Sequence, residues 1–247
     1  MDAPTDRRLT RGRLATLALA CALIGGLAGW LVHGRVIPAG DRGAIEQVVH
    51  DYVLEHPEIL PQAMDNLRHK EDASRLAAVS DEVRQPFPGA ILGNPAGKVT
   101  LVEFSDFACT FCRQSEAQVA ALIQANPDLK VVIRQWPILS PESSDAARMG
   151  LAAARQGHYA AFHHAMYAGG RPDAASIEAA ARSAGVDLAR AQKDIADPQI
   201  GAEIDRNLEL ARKLGFEGTP SWVIGNEIHS GAVGQDVLTA AIAKARG

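Results

Sequence analysis

This sequence of 247 residues has few cysteines and no excess of basic residues. Lys and Arg (25) are outnumbered by Asp and Glu (29), and the formal net charge is -4. A protein that binds nucleic acid through the phosphate backbone needs a basic surface, so nucleic acid is not an expected partner. Only three cysteines occur, with one close pair, Cys109 and Cys112. A scaffold stapled by several disulfides is therefore also excluded.

Long hydrophobic runs are absent except near the amino terminus, where residues 14–32 carry no charge. This run of about 19 residues is close to the roughly 20 that cross a hydrocarbon core. Because no A-x-A-like cleavage site ends it, an uncleaved signal anchor over residues 14–33 is favoured, and a cleaved signal peptide is the alternative. Cys21, inside the run, is interpreted as a small hydrophobic residue, with lipid attachment as the other reading.

The arginines around this run predict its orientation. Two follow it, and four precede it, namely Arg7, Arg8, Arg11 and Arg13. The positive-inside bias keeps a tail of residues 1–13 in the cytoplasm and exports the rest. We therefore expect a single-pass protein of the inner membrane, with the remainder of the chain on the periplasmic side.

A linker (34–42) precedes a helical N-terminal segment, residues 43–85. Ile45, Val48, Val49 and Tyr52 recur at helical spacing, Pro57 interrupts, and a second helical stretch follows. The apolar stripes are too narrow to form a core of their own. The segment either packs on the main domain or pairs with copies of itself in a homo-oligomer, and the pattern leaves both open.

Proline and glycine residues between 86 and 97 mark a boundary, after which the pattern is that of an α/β domain, 86–247. Strands are predicted at 99–104, 131–133 and 222–224, with a short strand ending near residue 229. Helices are predicted at 112–125 and 237–245. The stretch from about 140 to 214 is almost wholly helical and is predicted to be an insertion.

The order strand, CxxC, helix gives the cysteine pair its chemistry. A helix N-terminus carries partial positive charge and free N–H groups, which favour a thiolate at Cys109. Cys112 lies one helical turn further on and can form or break a disulfide with little backbone movement. This spacing predicts reversible thiol–disulfide exchange, in which Cys109 attacks and Cys112 resolves.

Two other uses of a CxxC are open at this point. A zinc site needs two further ligands, and the candidates His163, His164 and His229 include neither a second cysteine pair nor a spaced histidine pair. A purely structural disulfide closing so short a loop would stabilise the fold little. We expect no metal, and we interpret His158, His163 and His164 as hydrogen-bonded structural residues.

Two separated motifs resemble the DsbA-like branch of the thioredoxin superfamily. Residues 99–113 (VTLVEFSDFACTFCR) are similar to its active-site strand and helix, and residues 218–225 (GTPSWVIG) to its cis-proline loop and following strand. The resemblance implies a thioredoxin fold with a helical insertion, acting on thiols and disulfides of other proteins. The expected redox group is the Cys109–Cys112 disulfide, with no other cofactor, and a membrane redox partner would recycle it.

The resemblance also assigns roles to three further residues. Thr219 and Pro220 match the cis peptide that faces the CxxC, where the backbone of Thr219 is left to pair with an incoming extended substrate. Glu103 matches the buried acid of thioredoxin-like proteins, which takes a proton from the resolving cysteine, here Cys112. An exposed strand residue is the alternative for Glu103, and an ordinary turn proline is the alternative for Pro220.

Two features set the expected direction of exchange. Strongly oxidising members carry a histidine between the cysteines, where this chain has Thr110 and Phe111. Residues 49–60 (VHDYVLEHPEIL) resemble the N-terminal region of ScsC-type (suppressor of copper sensitivity) proteins, which in some relatives oligomerises the catalytic domains and confers isomerase activity. Isomerase or reductase activity is therefore preferred over oxidase activity. The alternative from another class is a non-catalytic copper-sequestering or chaperone-like module.

Overall fold

The computed structural model of the protein describes residues 42–246 and, nearer the amino terminus, residues 16, 19–28 and 30. Residues 19–28 are helical. In these parts of the chain no helix is long and apolar enough to cross a membrane. The predicted cytoplasmic tail and large parts of the predicted anchor and linker lie outside the described residues, so the anchor stays a prediction. The chain divides into two compact units, Met1–Met64 and Asp65–Gly247.

Three helices lie between residue 42 and the sheet, where the spacing of apolar residues predicts two helical stretches. They are α1 (Arg42–Glu55), α2 (Ile59–Ala77) and α3 (Ser80–Arg84). The apolar stripe of α1 consists of Ile45, Val48, Val49 and Tyr52, and each of these side chains is more than half exposed. An apolar stripe left in water is the usual mark of a surface that contacts another molecule or another part of a chain.

The sheet has five strands in the order β1-β3-β2-β4-β5. They are β1 (Ile91–Gly93), β2 (Val99–Ser105), β3 (Leu129–Gln135), β4 (Ser221–Ile224) and β5 (Glu227–Ser230). The pair β2–β3 is parallel, and the pairs β1–β3, β2–β4 and β4–β5 are antiparallel. The sequence predicts every strand except β1, which has only three residues and ends in glycine. Because β2 is the central strand, the turn after its carboxyl end lies in the middle of the domain.

Seven helices complete the second unit in the described residues. They are α4 (Thr110–Ala125), α5 (Pro141–Arg155), α6 (Tyr159–Ala168), α7 (Ala174–Ser183), α8 (Leu188–Ile195), α9 (Pro198–Leu214) and α10 (Gln235–Ala245). The helices α5 to α9 lie in the stretch from about 140 to 214 that the sequence predicts to be helical. Aspartates cap three of them, Asp173, Asp187 and Asp197, each accepting a backbone N–H of the first turn.

Each face of the sheet has its own core. Along β2 the side chains alternate, so Val99 and Leu101 pack in the cluster that includes both cysteines of the CxxC, while Val102 and Phe104 pack in the other. The second cluster also contains Leu76, Val79 and Val83, which the sequence assigns to the N-terminal segment (43–85). The last part of that segment therefore packs in the core of the second unit.

A buried arginine holds this part of the chain to the sheet. Arg134, on β3, is 1% exposed; it donates to Glu203 Oε1 (2.8 Å) and Asn207 Oδ1 (3.1 Å) of α9. Its remaining N–H groups donate to the main-chain oxygens of Glu82, Val83 and Gln85. A buried guanidinium is stable only when its charge and its donors are satisfied, and here one carboxylate, one side-chain amide oxygen and three main-chain carbonyls satisfy them.

Candidate active site

Cys109 is the N-cap of α4, the helix that follows the central strand. Its backbone is extended (φ -77°, ψ 120°), and its sulfur accepts the N–H of Cys112 at 3.3 Å. β2 ends at Ser105 and α4 begins at Thr110, so a short turn brings Cys109 directly over the first, unpaired N–H groups of the helix. Both cysteines of the pair are free thiols in the structure.

The pKa values of the two thiols are shifted in opposite directions. The Cys112 thiol hydrogen-bonds to Cys109 and, with the Thr219 hydroxyl and the N–H groups of Cys112 and Phe111, lowers the pKa of Cys109 from 9.0 to about 6, against the effect of burial. Burial, the Cys109 sulfur and the charge of Glu103 raise the pKa of Cys112 well above its usual range. At neutral pH, Cys109 is therefore the thiolate and Cys112 the thiol.

The loop before β4 faces the cysteine pair. The peptide between Thr219 and Pro220 is cis, as predicted from the family resemblance. In its thiol form Cys109 donates to the carbonyl oxygen of Thr219 at 3.2 Å. The Thr219 hydroxyl is buried and has no hydrogen-bond partner while Cys109 is a thiol. When Cys109 is a thiolate, its sulfur can accept this hydrogen, which is the contribution of Thr219 to the lowered pKa. The antiparallel pairing of β4 with β2 places this loop beside the CxxC.

Glu103 lies in the middle of the sheet rather than on an exposed strand face. It pairs with Ile133 of β3 and Trp222 of β4 and is 3% exposed. Burial, followed by the like charge of Glu116, raises its pKa to about 8, and a hydrogen bond with Ser105 opposes this. By the alternation of β2 it shares the face of the sheet that carries Cys112. The structure thus brings together Cys109, Cys112, Thr219, Pro220 and Glu103.

Three polar residues in this region, Ser105, Glu116 and Tyr167, were not singled out from the sequence. The Tyr167 hydroxyl lies 2.7 Å from Ser105 Oγ and donates to the main-chain oxygen of Asp106 at 3.2 Å. His163 is buried, and its Nε2 lies 3.0 Å from Glu116 Oε2. These partners are far apart in the sequence, so no local pattern indicates them. The contact with Glu116 confirms that His163 is a hydrogen-bonded histidine.

A groove of about 580 Å³ runs from the CxxC helix to the cis-proline loop. Phe111, 57% exposed, forms one side of it. The other lining residues are Gly215, Glu217, Gly218, Thr219, Ser230, Gly231 and Ala232. Such a groove can receive an extended chain, with Thr219 at its edge. Among the residues that the structure describes, no three His, Cys, Asp or Glu side chains are grouped so as to hold a metal ion.

One thiol has a lowered pKa and the other a raised pKa, and the two lie one helical turn apart beyond the carboxyl end of the central strand. This arrangement meets the requirements of thiol–disulfide exchange. The fold and the site are thus those of the thioredoxin class. Residues 100–243, more than half of the chain, match the family described as the DSBA-like thioredoxin domain. The chain belongs to this family. Residues 41–73 match a second family, the copper resistance protein ScsC N-terminal domain.

The chain is also similar to solved structures and to curated proteins. A thioredoxin-like oxidoreductase from Silicibacter pomeroyi DSS-3 is 43% identical over 63% of this chain and 91% of its own, with a TM-score of 0.61. Proteus mirabilis ScsC in a transitional conformation is 27% identical over 86% of this chain and 98% of its own, with a TM-score of 0.63. The Na(+)/H(+) antiporter NhaA 3 of Salinispora tropica is 29% identical over 63% of this chain. The matched region covers only 24% of the length of that antiporter.

Proposed function

We propose that this protein exchanges disulfides with other proteins on the periplasmic side of the inner membrane, with isomerase or reductase activity preferred over oxidase activity. The observation that carries the proposal is that the two thiol pKa values are shifted in opposite directions. The pKa of Cys109 is about 6, and that of Cys112 is raised. The DSBA-like domain match and the similarity to a thioredoxin-like oxidoreductase support the same chemistry.

In the reductive direction, the Cys109 thiolate attacks one sulfur of a substrate disulfide, and the other substrate sulfur leaves as a thiolate and takes a proton. Cys112 then loses its proton to the ionised carboxylate of Glu103 and attacks the Cys109 sulfur. The mixed disulfide breaks, the second substrate thiol is released, and the Cys109–Cys112 disulfide forms. Two electrons pass from enzyme to substrate, and a membrane redox partner must return them.

Isomerisation uses the same first step and needs no net electrons. If another thiol of the same substrate, rather than Cys112, attacks the mixed disulfide, the substrate leaves with a different pairing and Cys109 is again a thiolate. The groove beside Phe111 and Thr219 would hold an extended part of the substrate during this step. A reduced resting state of the cysteine pair favours isomerisation, and an oxidised one favours oxidation.

The redox equilibrium with glutathione tests the proposed direction. A Cys109 pKa of about 6 lies above the value of about 3.5 that accompanies the strongly oxidising DsbA. A less stabilised thiolate means a less oxidising disulfide, so we expect a reduction potential below about -120 mV. The protein would be equilibrated in glutathione buffers, quenched with acid, and its thiols counted by alkylation. A potential at or above that of DsbA would contradict the proposed direction.

We further propose that α1 and the beginning of α2 join copies of the chain. The exposed apolar stripe of α1 and the ScsC N-terminal match over residues 41–73 support this. Light scattering of the full chain in detergent should give a multiple of the monomer mass, and Val48→Glu should reduce it. Gln47→Glu, which adds the same charge beside the stripe, is the matched control. A monomeric wild-type chain would end the proposal.

The membrane anchor over residues 14–33 remains a proposal supported by its length, its lack of charge and the four arginines before it. Washing membranes with alkaline carbonate should leave the protein in the pellet. In spheroplasts, added protease should digest the domain that carries the CxxC. Release of the protein by carbonate, or by osmotic shock of intact cells, would contradict anchoring.

A further inference from the structure

The residue directly after β2 contacts two separate loops through one carboxylate. Asp106 is 0% exposed. Its Oδ1 accepts the N–H of Ala108 at 2.8 Å, and its Oδ2 accepts the N–H groups of Ile138 (2.8 Å) and Leu139 (3.0 Å). Ala108 immediately precedes Cys109, whereas Ile138 and Leu139 belong to the loop after β3. A single buried side chain therefore joins the active-site turn to a loop some 30 residues further along the chain.

The main chain of Asp106 is tied to the cysteine pair as well. Its carbonyl oxygen accepts the N–H of Cys109 at 2.9 Å and the hydroxyl of Tyr167 at 3.2 Å. Its own N–H hydrogen-bonds to the sulfur of Cys112 and favours the thiolate there. The position of this one residue thus determines where the backbone of Cys109 lies and which donor the sulfur of Cys112 meets.

Hydrogen bonds hold the loop after β3 on its inner side. The N–H of Trp136 donates to the main-chain oxygen of Ser105 at 2.8 Å, and the next two available N–H groups, after Pro137, are those that Asp106 accepts. On the outer side, Ile138 is 40% exposed and Leu139 is 51% exposed. Without the Asp106 carboxylate, the N–H groups of Ile138 and Leu139 would lose their acceptor.

We propose that Asp106 is a positioning residue for exchange, which locks the active-site turn against the loop 136–139 and so keeps the Cys109 sulfur over the helix N–H groups. The proposal deepens the proposed function and, as far as catalysis is concerned, rests on it. Only a carboxylate can serve all three donors, because its two oxygens have acceptor capacity and no hydrogen. An amide would turn an N–H group towards one set of donors and release one of the two loops.

The test compares Asp106→Asn with wild type and with Asp197→Asn, the matched control. Asp197 likewise accepts an N–H two residues on, at Gln199, and its ion-pair partner Arg155 lies outside the active-site turn. The measured quantities are the thiolate absorbance of reduced Cys109 against pH and the rate of its alkylation by iodoacetamide at pH 6. We expect Asp106→Asn to lower that rate, by about fivefold if the pKa of Cys109 rises by one unit. Loss of the carboxylate charge alone would favour the thiolate and raise the rate, so a lower rate reports the displaced turn.

The outcomes separate a positioning role from a structural one. A fall in the alkylation rate for Asp106→Asn but not for Asp197→Asn supports the proposal, and so does an intermediate rate for Asp106→Glu, which keeps the charge but displaces it. A lower melting temperature with an unchanged titration curve of Cys109 would overturn it. If Asp106→Asn does not fold, Asp106→Glu decides by the same curve.

The titration involves no protein substrate, so it stands apart from the proposed function. If wild-type protein fails to exchange disulfides with any protein, the proposed function falls, while the shift of the Cys109 curve still judges Asp106. If wild type exchanges disulfides and Asp106→Asn does so at the same rate with the same curve, the positioning role falls and the proposed function stands.

Discussion

Replacing Cys109 with serine is expected to reduce insulin reduction and the refolding of scrambled ribonuclease to the uncatalysed rates. The attacking group in exchange is a thiolate, and the pKa of Cys109, about 6, keeps it ionised at neutral pH. A serine hydroxyl at the same N-cap is not ionised and is a poor nucleophile towards sulfur. The N–H groups of α4 cannot compensate for this, so the first step is lost rather than slowed.

Cys112→Ser is the matched control for that result. This variant keeps the nucleophile and loses the resolving thiol, so it should attack substrate disulfides and remain attached to them. Non-reducing electrophoresis should show mixed disulfides for Cys112→Ser and none for Cys109→Ser. Turnover by Cys109→Ser would refute the catalytic assignment. Copper binding by a wild-type protein without exchange activity would favour the sequestration alternative.

Replacing Glu103 with glutamine is expected to stabilise the reduced protein at pH 8 by about 4 kcal/mol, and to have almost no effect near pH 4. The carboxyl has a pKa of about 8 in the fold, against an ordinary value of 4.5, chiefly because burial penalises its charge. Between these two pH values the folded chain holds a proton that the unfolded chain has lost. The stability of wild type therefore falls as pH rises from 4.5 to 8, and the glutamine variant escapes that loss.

Glu203→Gln is the control, and we expect it to change the stability in the opposite direction. Glu203 is also a buried carboxyl, but the guanidinium groups of Arg134 at 2.8 Å and Arg206 at 2.9 Å oppose the rise in its pKa that burial causes. Among the described residues, Arg134 has no other counter-ion at this distance. Removing its charge leaves the guanidinium of Arg134 buried without its counter-ion, which costs about 3–5 kcal/mol. Urea unfolding of reduced wild type and both variants at pH 4 and pH 8 measures the two effects. A destabilised Glu103→Gln at pH 8 would contradict the raised pKa.

Glu103→Gln should also slow the resolving step. In wild type the rate at which Cys112 breaks a mixed disulfide should rise with pH around a midpoint of about 8, as Glu103 ionises. In Glu103→Gln that dependence should vanish, and the rate at pH 8 should fall roughly 10²-fold, the usual contribution of a general base. Acid quenching of a preformed mixed disulfide at intervals measures the rate. An unchanged pH dependence would show that another group accepts the proton.

The sequence was sufficient wherever structure and chemistry follow from neighbouring residues. The helix after Cys109 follows from the local pattern, and the central strand is marked by β-branched and aromatic residues. The cis peptide at Pro220 was predicted from the family resemblance. The role of Glu103 was assigned through the resemblance to thioredoxin-like proteins, in which a buried acid occupies the matching position. What such signals cannot supply is the pKa of these groups, because burial and the charge of Glu116 arise only when the chain has folded.

Contacts across the sheet were beyond the reach of the sequence. Arg134 looks like an ordinary polar residue at the end of a strand, yet it binds carbonyls some 50 residues earlier and a carboxylate some 70 residues later. For the same reason residues 76–83 were grouped with the N-terminal segment, although Leu76, Val79 and Val83 pack behind β2 and β3. Asp106 likewise reveals its partners Ile138 and Leu139 only in three dimensions.

The separation of the two cores gives the protein a built-in optical signal. Trp222 is buried in the cluster that contains Cys109 and Cys112 and pairs across the sheet with Glu103, whereas Trp136 lies in the other cluster, against Phe104 and Phe216. Sulfur and carboxyl groups quench indole emission at short range. We therefore expect fluorescence from Trp222 to respond to opening of the disulfide more than that from Trp136, so that a stopped-flow instrument can follow turnover without any attached dye.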